Sequence, residues 1–304
     1  MTVSARPFGT PFDRSDADVI LRSSDKIDFR AHKLILSIAS PFFEQMFSLP
    51  VPSQKHDSDF INGVPCISMS ESASVIELVL RFMYPIPSPK VTLKDIGSLL
   101  EFSRKYDVHI YDFQVDCGLK ESIASDPVGV YALSVAYDIP EIRNLAAVAA
   151  CRLSSDMLDS PLLHYLSIQQ YRQLVSYRIK AGNAMYDLLQ GQSFYVETSG
   201  SFRSGYHQSC AECSCSDGDW VLHTIYSGYV KAVREDIRKG AGTEVILAHV
   251  HVFMPHDSMG CLRKSYSYRG PTCSGISKTA FQYFADALHK AAEEVCSKVG
   301  LPAI

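Results

Sequence analysis

No run of lysine and arginine is long enough to form a concentrated basic footprint, and the formal net charge of the 304-residue chain is −4. Direct nucleic-acid binding, which rests on neutralising phosphates, therefore has no electrostatic basis in this sequence. No stretch approaches about 18 uninterrupted apolar residues, so no transmembrane helix and no membrane role are expected. The segment Met1 to Arg14 lacks an apolar stretch between a basic start and a cleavage site, so it does not read as a signal peptide. The expected location is then the cytoplasm, the nucleus or both, where thiols stay reduced or bind metal. Catalytic signatures are missing as well. There is no Gly-x-Ser-x-Gly elbow and no kinase signature. Gly240-Ala241-Gly242 and Gly270-Pro271 lack the Lys and Ser or Thr of a phosphate loop and read as turns. No internal repeat is visible.

What is present is the composition of an ordinary folded chain, 46% apolar and 20% charged. The length suits two domains, each able to bury a core without disulfides or metal. The nine cysteines are unevenly placed: Cys66, Cys117 and Cys151 stand apart in apolar surroundings, while six fall between Cys210 and Cys296. That skew marks the C-terminal third as a different kind of structure.

Residues 1–14 read as a flexible polar tail. Asp18 to Arg22 and Ile27 to Arg30 flank the polar turn Ser23-Ser24-Asp25-Lys26 and predict a hairpin. His32 to Ala39 is too apolar and too long for a third hairpin strand and predicts a buried helix. Pro41 suits the start of the next helix, on which Phe42, Phe43, Met46 and Phe47 fall at helical spacing on one apolar face. Ser48 to Asn62 reads as a mobile loop and Val64 to Ser68 as a short strand. Ala73 to Tyr84 is strongly amphipathic and is stopped by Pro85-Ile86-Pro87. Two helices follow near Leu93 to Tyr106 and Tyr111 to Ala124. From Asp126-Pro127, a cap followed by a proline at the first helical position, the pattern is helical through Leu189. Within it, the small side chains of Ala146, Ala147, Ala149 and Ala150 suit the close approach of a helix bundle. Beyond Gln190, Trp220 to Arg238 and Thr279 to Val299 read as helices and Glu244 to Phe253 as an alternating strand.

Five segments in this order carry a family resemblance: Asp16-Ala17-Asp18-Val19-Ile20-Leu21, then Phe29-Arg30-Ala31-His32-Lys33-Leu34-Ile35-Leu36, Ser40-Pro41-Phe42-Phe43, Met46-Phe47, and Leu80-Arg81-Phe82-Met83-Tyr84. Together they resemble the BTB/POZ fold, short strands with a helical cluster, over about residues 15–124. The whole chain is similar to the BTB-domain proteins numerous in mushroom-forming fungi. The resemblance implies a protein-binding role and a homodimer formed through the N-terminal hairpin and first helix. It also implies a charged pocket at that interface, matched here by Asp18 and Lys33 beside His32. A buried carboxylate and ammonium would need one another there, since either one unpaired is costly. The local alternative is that both cap structure at a solvent-facing edge. His32 reads as structural, with no nucleophile placed near it. Phe42, Phe43, Met46, Phe47 and Tyr84 are candidates for protein contact, although the phenylalanine cluster is most simply core. The resemblance further admits a cullin-3 ubiquitin-ligase adaptor, with the helices of Asp126 to Ser160 where such adaptors carry a supporting pair.

In the C-terminal third, Cys210-Ala211-Glu212-Cys213-Ser214-Cys215 offers two thiolates at zinc-binding spacing. A structural zinc would need further ligands from His207, Cys215, Cys261 or Cys273, and no second Cys-x-x-Cys exists to supply them. Reduced thiols in a polar loop are the alternative, and the flanking Ser, Gly and Asp give no thioredoxin context. His249-Val250-His251, with His256 as a third candidate, would place two imidazoles on one strand face. The shared face with Val245, Leu247 and Phe253 favours a structural pair.

The chain is thus read as α+β. A BTB/POZ domain spans residues 15–124, a helical extension 125–190 and a small Cys-containing α+β region 191–304. It is expected to act in protein interaction rather than catalysis. The competing class is a transcriptional or chromatin cofactor recruited through other proteins, and a metal-dependent enzyme ranks below both.

Overall fold

Four consecutive apolar or mixed residues, Val19–Arg22, form strand β2, and Ile27–Ala31 form β3, paired antiparallel with Val19 opposite Ala31 and Arg22 opposite Asp28. The structure, a computed structural model, describes residues 5–49, 60–190, 194–196, 202–204, 219–254 and 278–300. Val19, Ile20 and Leu21 are all buried, so β2 is covered on both faces, whereas β3 buries only alternate residues, Ile27, Phe29 and Ala31. Lys26 takes the left-handed backbone conformation that closes the turn. Arg22 and Asp28 hold the register with a two-pronged pair at 2.7 and 2.8 Å.

The sheet extends beyond the hairpin. β1, Arg6–Pro7, runs parallel to β3. On the other side β5, Val64–Ser68, runs parallel to β2 and pairs antiparallel with β4, Phe60–Ile61. The order is β1-β3-β2-β5-β4. Two expectations are corrected here. Residues 5–14 are not a flexible tail, because β1 joins the sheet and Phe12 is buried against Phe29 and the edge of Tyr84. The Ser48 to Asn62 segment is not all loop, because Phe60 and Ile61 form β4; residues 50–59 lie outside the described ones. In both places pairing with a neighbouring strand decides a conformation that two or three residues could not sustain unaided.

Helices α1 (Lys33–Ala39), α2 (Pro41–Ser48), α3 (Ala73–Met83), α4 (Leu93–Tyr106) and α5 (Asp112–Ser122) complete this part of the chain. Ser40 makes the bend between α1 and α2. Its hydroxyl accepts the Phe43 N–H at 3.1 Å and donates to the Tyr106 carbonyl at 2.6 Å, tying α2 to the end of α4. Helix α4 opens with a reciprocal cap between Thr92 and Asp95 and ends on Asp107 in the left-handed region.

The chain divides into two compact units, Met1–Ser122 and Ile123–Ile304. In the second, α6 (Pro127–Ala136) and α7 (Pro140–Ala150) form a close antiparallel pair, with Ala146, Ala147, Ala149 and Ala150 all buried. The N-cap carboxylate of Asp126 accepts the Gly129 N–H and the Ser160 hydroxyl, each at 2.7 Å. Helix α8 (Ile168–Gln190) packs against α7, α9 (Asp219–Arg238) and α12 (Lys278–Lys298), and strands β6 (Phe194–Val196) and β7 (Phe202–Ser204) form a hairpin. The 125–190 and 191–304 parts lie within this one unit.

The expected strand over Glu244 to Phe253 is a further correction. The chain forms two short helices there, α10 (Glu244–Ala248) and α11 (Val250–Phe253). Val245, Leu247 and Phe253, expected on one strand face, are only half-buried, and the fully buried apolar residues are Ile246 and Val250, four apart. Packing against α9 and α12 selects that helical spacing over the two-residue period.

Candidate functional site

Leu34 and Ile38 lie one turn apart on α1 and are 71% and 77% exposed, while Leu36 on the opposite side is fully buried. The expectation of a buried helix is therefore corrected. Only one stripe of α1 enters the core, and the other turns two large aliphatic side chains to solvent. Phe42, in the first turn of α2, is 42% exposed and extends the apolar surface across the Ser40 bend, and Leu49 beyond α2 is exposed as well. Scattered exposed apolar residues are ordinary, but here two fall on successive turns of a seven-residue helix and an exposed aromatic follows them.

The four residues expected on one face of α2 separate. Phe43 is buried and stacks on Tyr106 (5.5 Å between centroids, 12° between planes), whereas Met46 and Phe47 are half-buried. Phe43 is core, whereas Phe42 sets its ring edge-on against the same Tyr106 at 5.4 Å and keeps its other side at the surface.

Beside α1, the residues expected to form a charged pocket form a hydrogen-bonded edge. The Asp18 carboxylate accepts the Lys33 backbone N–H at 2.7 Å and so satisfies a free donor at the start of α1. The Lys33 ammonium lies over the Phe47 ring, 5.7 Å from its centroid. Asp18 and Lys33 thus meet through the backbone within the single chain, and Asp18 is exposed.

Tyr84 links this edge to the sheet. Its hydroxyl oxygen accepts the His32 backbone N–H at 2.9 Å and lies within hydrogen-bond distance of the His32 Nδ1, 3.0 Å away. The other ring nitrogen, Nε2, faces the Asp16 carboxylate at 3.4 Å. Burial raises the Tyr84 pKa above the usual phenol value, and the Arg14 guanidinium, paired with Asp16 at 2.6 Å, holds the Asp16 carboxyl well below the usual carboxylate range. Sequence reasoning singled out His32 and Tyr84 separately and missed Asp16 as a third member. Its position two residues before Asp18, on the same polar turn, was the available signal. The arrangement positions backbone and holds charge at a protein surface; it contains no activated nucleophile.

The metal candidates fare differently. His207, Cys210, Cys213, Cys215, His256, Cys261 and Cys273 lie outside the described residues. His249 and His251 do not share a face, since two residues on a helix subtend about 200°. The His249 Nε2 meets Asp236 at 2.8 Å, while His251 is exposed. Among the described residues, no group of three His, Cys, Asp or Glu side chains could hold a metal, and no helix is long and apolar enough to cross a membrane.

Residues 9–114 match the family model for the BTB/POZ domain. No curated protein matches the chain. The strands β2 and β3, helices α1 to α4 and the whole of the α1 surface fall inside the matched span, which is a protein-interaction module.

Proposed function

We propose that the BTB/POZ domain of this chain joins two copies through the exposed face of α1, and that the pair presents its second unit to other proteins. The observation that carries this reading is the outward stripe of Leu34 and Ile38, with Phe42 beside it, on the element that dimerises in related domains. Burying these side chains against a second copy removes apolar area from water at a gain of about 25 cal/mol per Å². A symmetric contact would also bring two copies of the Asp18–Lys33 edge together, where carboxylate and ammonium could pair across the interface.

The more specific form of this proposal is an adaptor for a cullin-3 ubiquitin ligase. It is supported by the α6–α7 helix pair that follows the domain in sequence and by the exposed aromatic Phe113 on α5.

The dimer is tested by light scattering coupled to size exclusion. The wild type is expected to run as a dimer at micromolar concentration, and Leu34→Asp/Ile38→Asp as a monomer with unchanged circular dichroism. A wild type that stays monomeric at every concentration, or a folded double variant that stays dimeric, overturns the α1 interface. For the adaptor, purified cullin-3 should bind the wild type and lose affinity at least tenfold for Phe113→Ala. No binding to the wild type removes the adaptor reading and leaves the dimer standing.

A further inference from the structure

Away from the interaction surface, two thiols meet in the core of the second unit. Cys151 caps the C-terminal end of α7, and Cys296 sits in the last turn of α12. Each is 1% exposed, neither is in a disulfide, and the two thiols lie close enough to perturb one another. Their helices are pinned side by side at this point. Arg152, next to Cys151, pairs with Glu293, one turn before Cys296, at 2.6 Å. The Tyr177 hydroxyl donates to the Cys296 carbonyl at 2.8 Å. The Cys151 sulfur also lies 3.6 Å from the Ala147 carbonyl oxygen.

The third side chain of the cluster is Arg178, 3% exposed and with no carboxylate partner among the described residues. Its guanidinium donates to the carbonyls of Leu153, Gly240 and Ala241 at 2.6–3.2 Å. A buried cation beside two thiols favours the thiolate form of one of them. Here that one is Cys296, held below the usual thiol value by its contact with Cys151 and by the charge of Arg178, while Cys151 is raised by the same contact and by burial.

We infer that Cys151 and Cys296 form a redox-switchable clasp, in which Cys296 is the sulfur oxidised first by hydrogen peroxide and Cys151 resolves it to an intramolecular disulfide joining α7 to α12. The Cys296 thiolate attacks one peroxide oxygen and breaks the O–O bond. It becomes a sulfenic acid, and the hydroxide released takes up the thiol proton as water. The Cys151 sulfur then attacks the Cys296 sulfur, and its proton leaves with the displaced hydroxyl as a second water. Two thiols lose two hydrogens and two electrons, and the peroxide is reduced to two waters. Both sulfurs are buried, which restricts the oxidant to a small neutral molecule. Cys296 lies in the terminal turn of its helix, so fraying of that turn opens a path. The consequence is that α12, otherwise held to α7 by packing and one partly exposed ion pair, becomes covalently fixed.

The test treats the native full-length chain with hydrogen peroxide and blocks the remaining thiols by alkylation before denaturation. The chain is then mapped by mass spectrometry without reduction. The expected result is a linked pair of peptides containing Cys151 and Cys296, which disappears on reduction with dithiothreitol. In Cys151→Ala, Cys296 is expected to proceed to sulfinic acid, because no neighbouring thiol rescues it. Recovery of both cysteines as unlinked thiols, or of either as a sulfinic acid in the wild type, overturns the clasp. Should the alanine variant fail to fold, the wild-type map decides.

Discussion

The Glu71 carboxylate shows how single residues in the BTB/POZ domain set its response to acid. Burial pushes this carboxyl up, but Lys105 at 2.7 Å, the Tyr106 hydroxyl at 2.9 Å and Ser70 outweigh burial and hold it below its ordinary value of 4.5. A carboxyl depressed in the folded state contributes stability that is present above its unfolded value and is lost as pH falls through the folded one. Glu71→Gln is therefore expected to cost about 1–2 kcal/mol at pH 7. The gap from wild type should narrow below pH 4.5, measured by urea unfolding at a series of pH values. Phe42 and Phe43 make a second contrast. Phe43→Ala should lower domain stability by about 3–5 kcal/mol, as expected for a buried phenylalanine. Phe42→Ala should change it by less than about 1 kcal/mol and act on association instead. Equal losses of stability would contradict the division into core and surface. The two residues are neighbours in sequence and identical in type, so nothing but their packing separates them.

Among elements, the turn between α9 and α10 depends most on a single backbone requirement. A Cβ at Gly242 would sit 2.0 Å from the Arg152 carbonyl oxygen and 2.5 Å from that of Leu153. The close approach is held by the Thr243 N–H to Cys151 carbonyl bond at 3.1 Å, the Ser155 N–H to Gly240 carbonyl bond at 2.8 Å, and Arg178. Gly242→Ala is expected to destabilise the second unit by about 2–4 kcal/mol while leaving the BTB/POZ domain intact. Arg178→Met should do likewise, because three carbonyls lose a charged donor. Both are read by hydrogen exchange resolved to each unit. Loss of protection in residues 9–114 from either substitution would show that the units do not respond separately. Reading Gly240-Ala241-Gly242 as a turn was sound, but the reason for the second glycine, contact with the end of α7 some ninety positions earlier, has no local trace.

At the scale of the molecule, the division at Ser122 and Ile123 predicts that residues 1–122 fold when produced alone. Their sheet, their aromatic cluster of Phe8, Phe12, Phe29 and Tyr84, and the Ser40–Tyr106 tie are all internal. A cooperative thermal transition for that fragment is the expected outcome, and a non-cooperative one would deny its independence.

The sequence by itself determined the elements whose signals are local and mutually consistent. These are the β2–β3 hairpin with its polar turn, the proline-started α2 and α6, and the ordered set of segments from Asp16 to Tyr84 that resembles a BTB/POZ domain. Tertiary structure decided what depends on long-range contact. It placed β1 and β4 in the sheet, because isolated two-residue strands exist only by pairing. It turned Glu244–Phe253 into helices, because Ile246 and Val250 had α9 and α12 to pack against. It faced Leu34 and Ile38 outward while burying Leu36, since a helix of seven residues offers a core on one side only. It also brought Cys151 to Cys296 and Arg178, a meeting of three helices far apart in the chain that no spacing or composition could foretell.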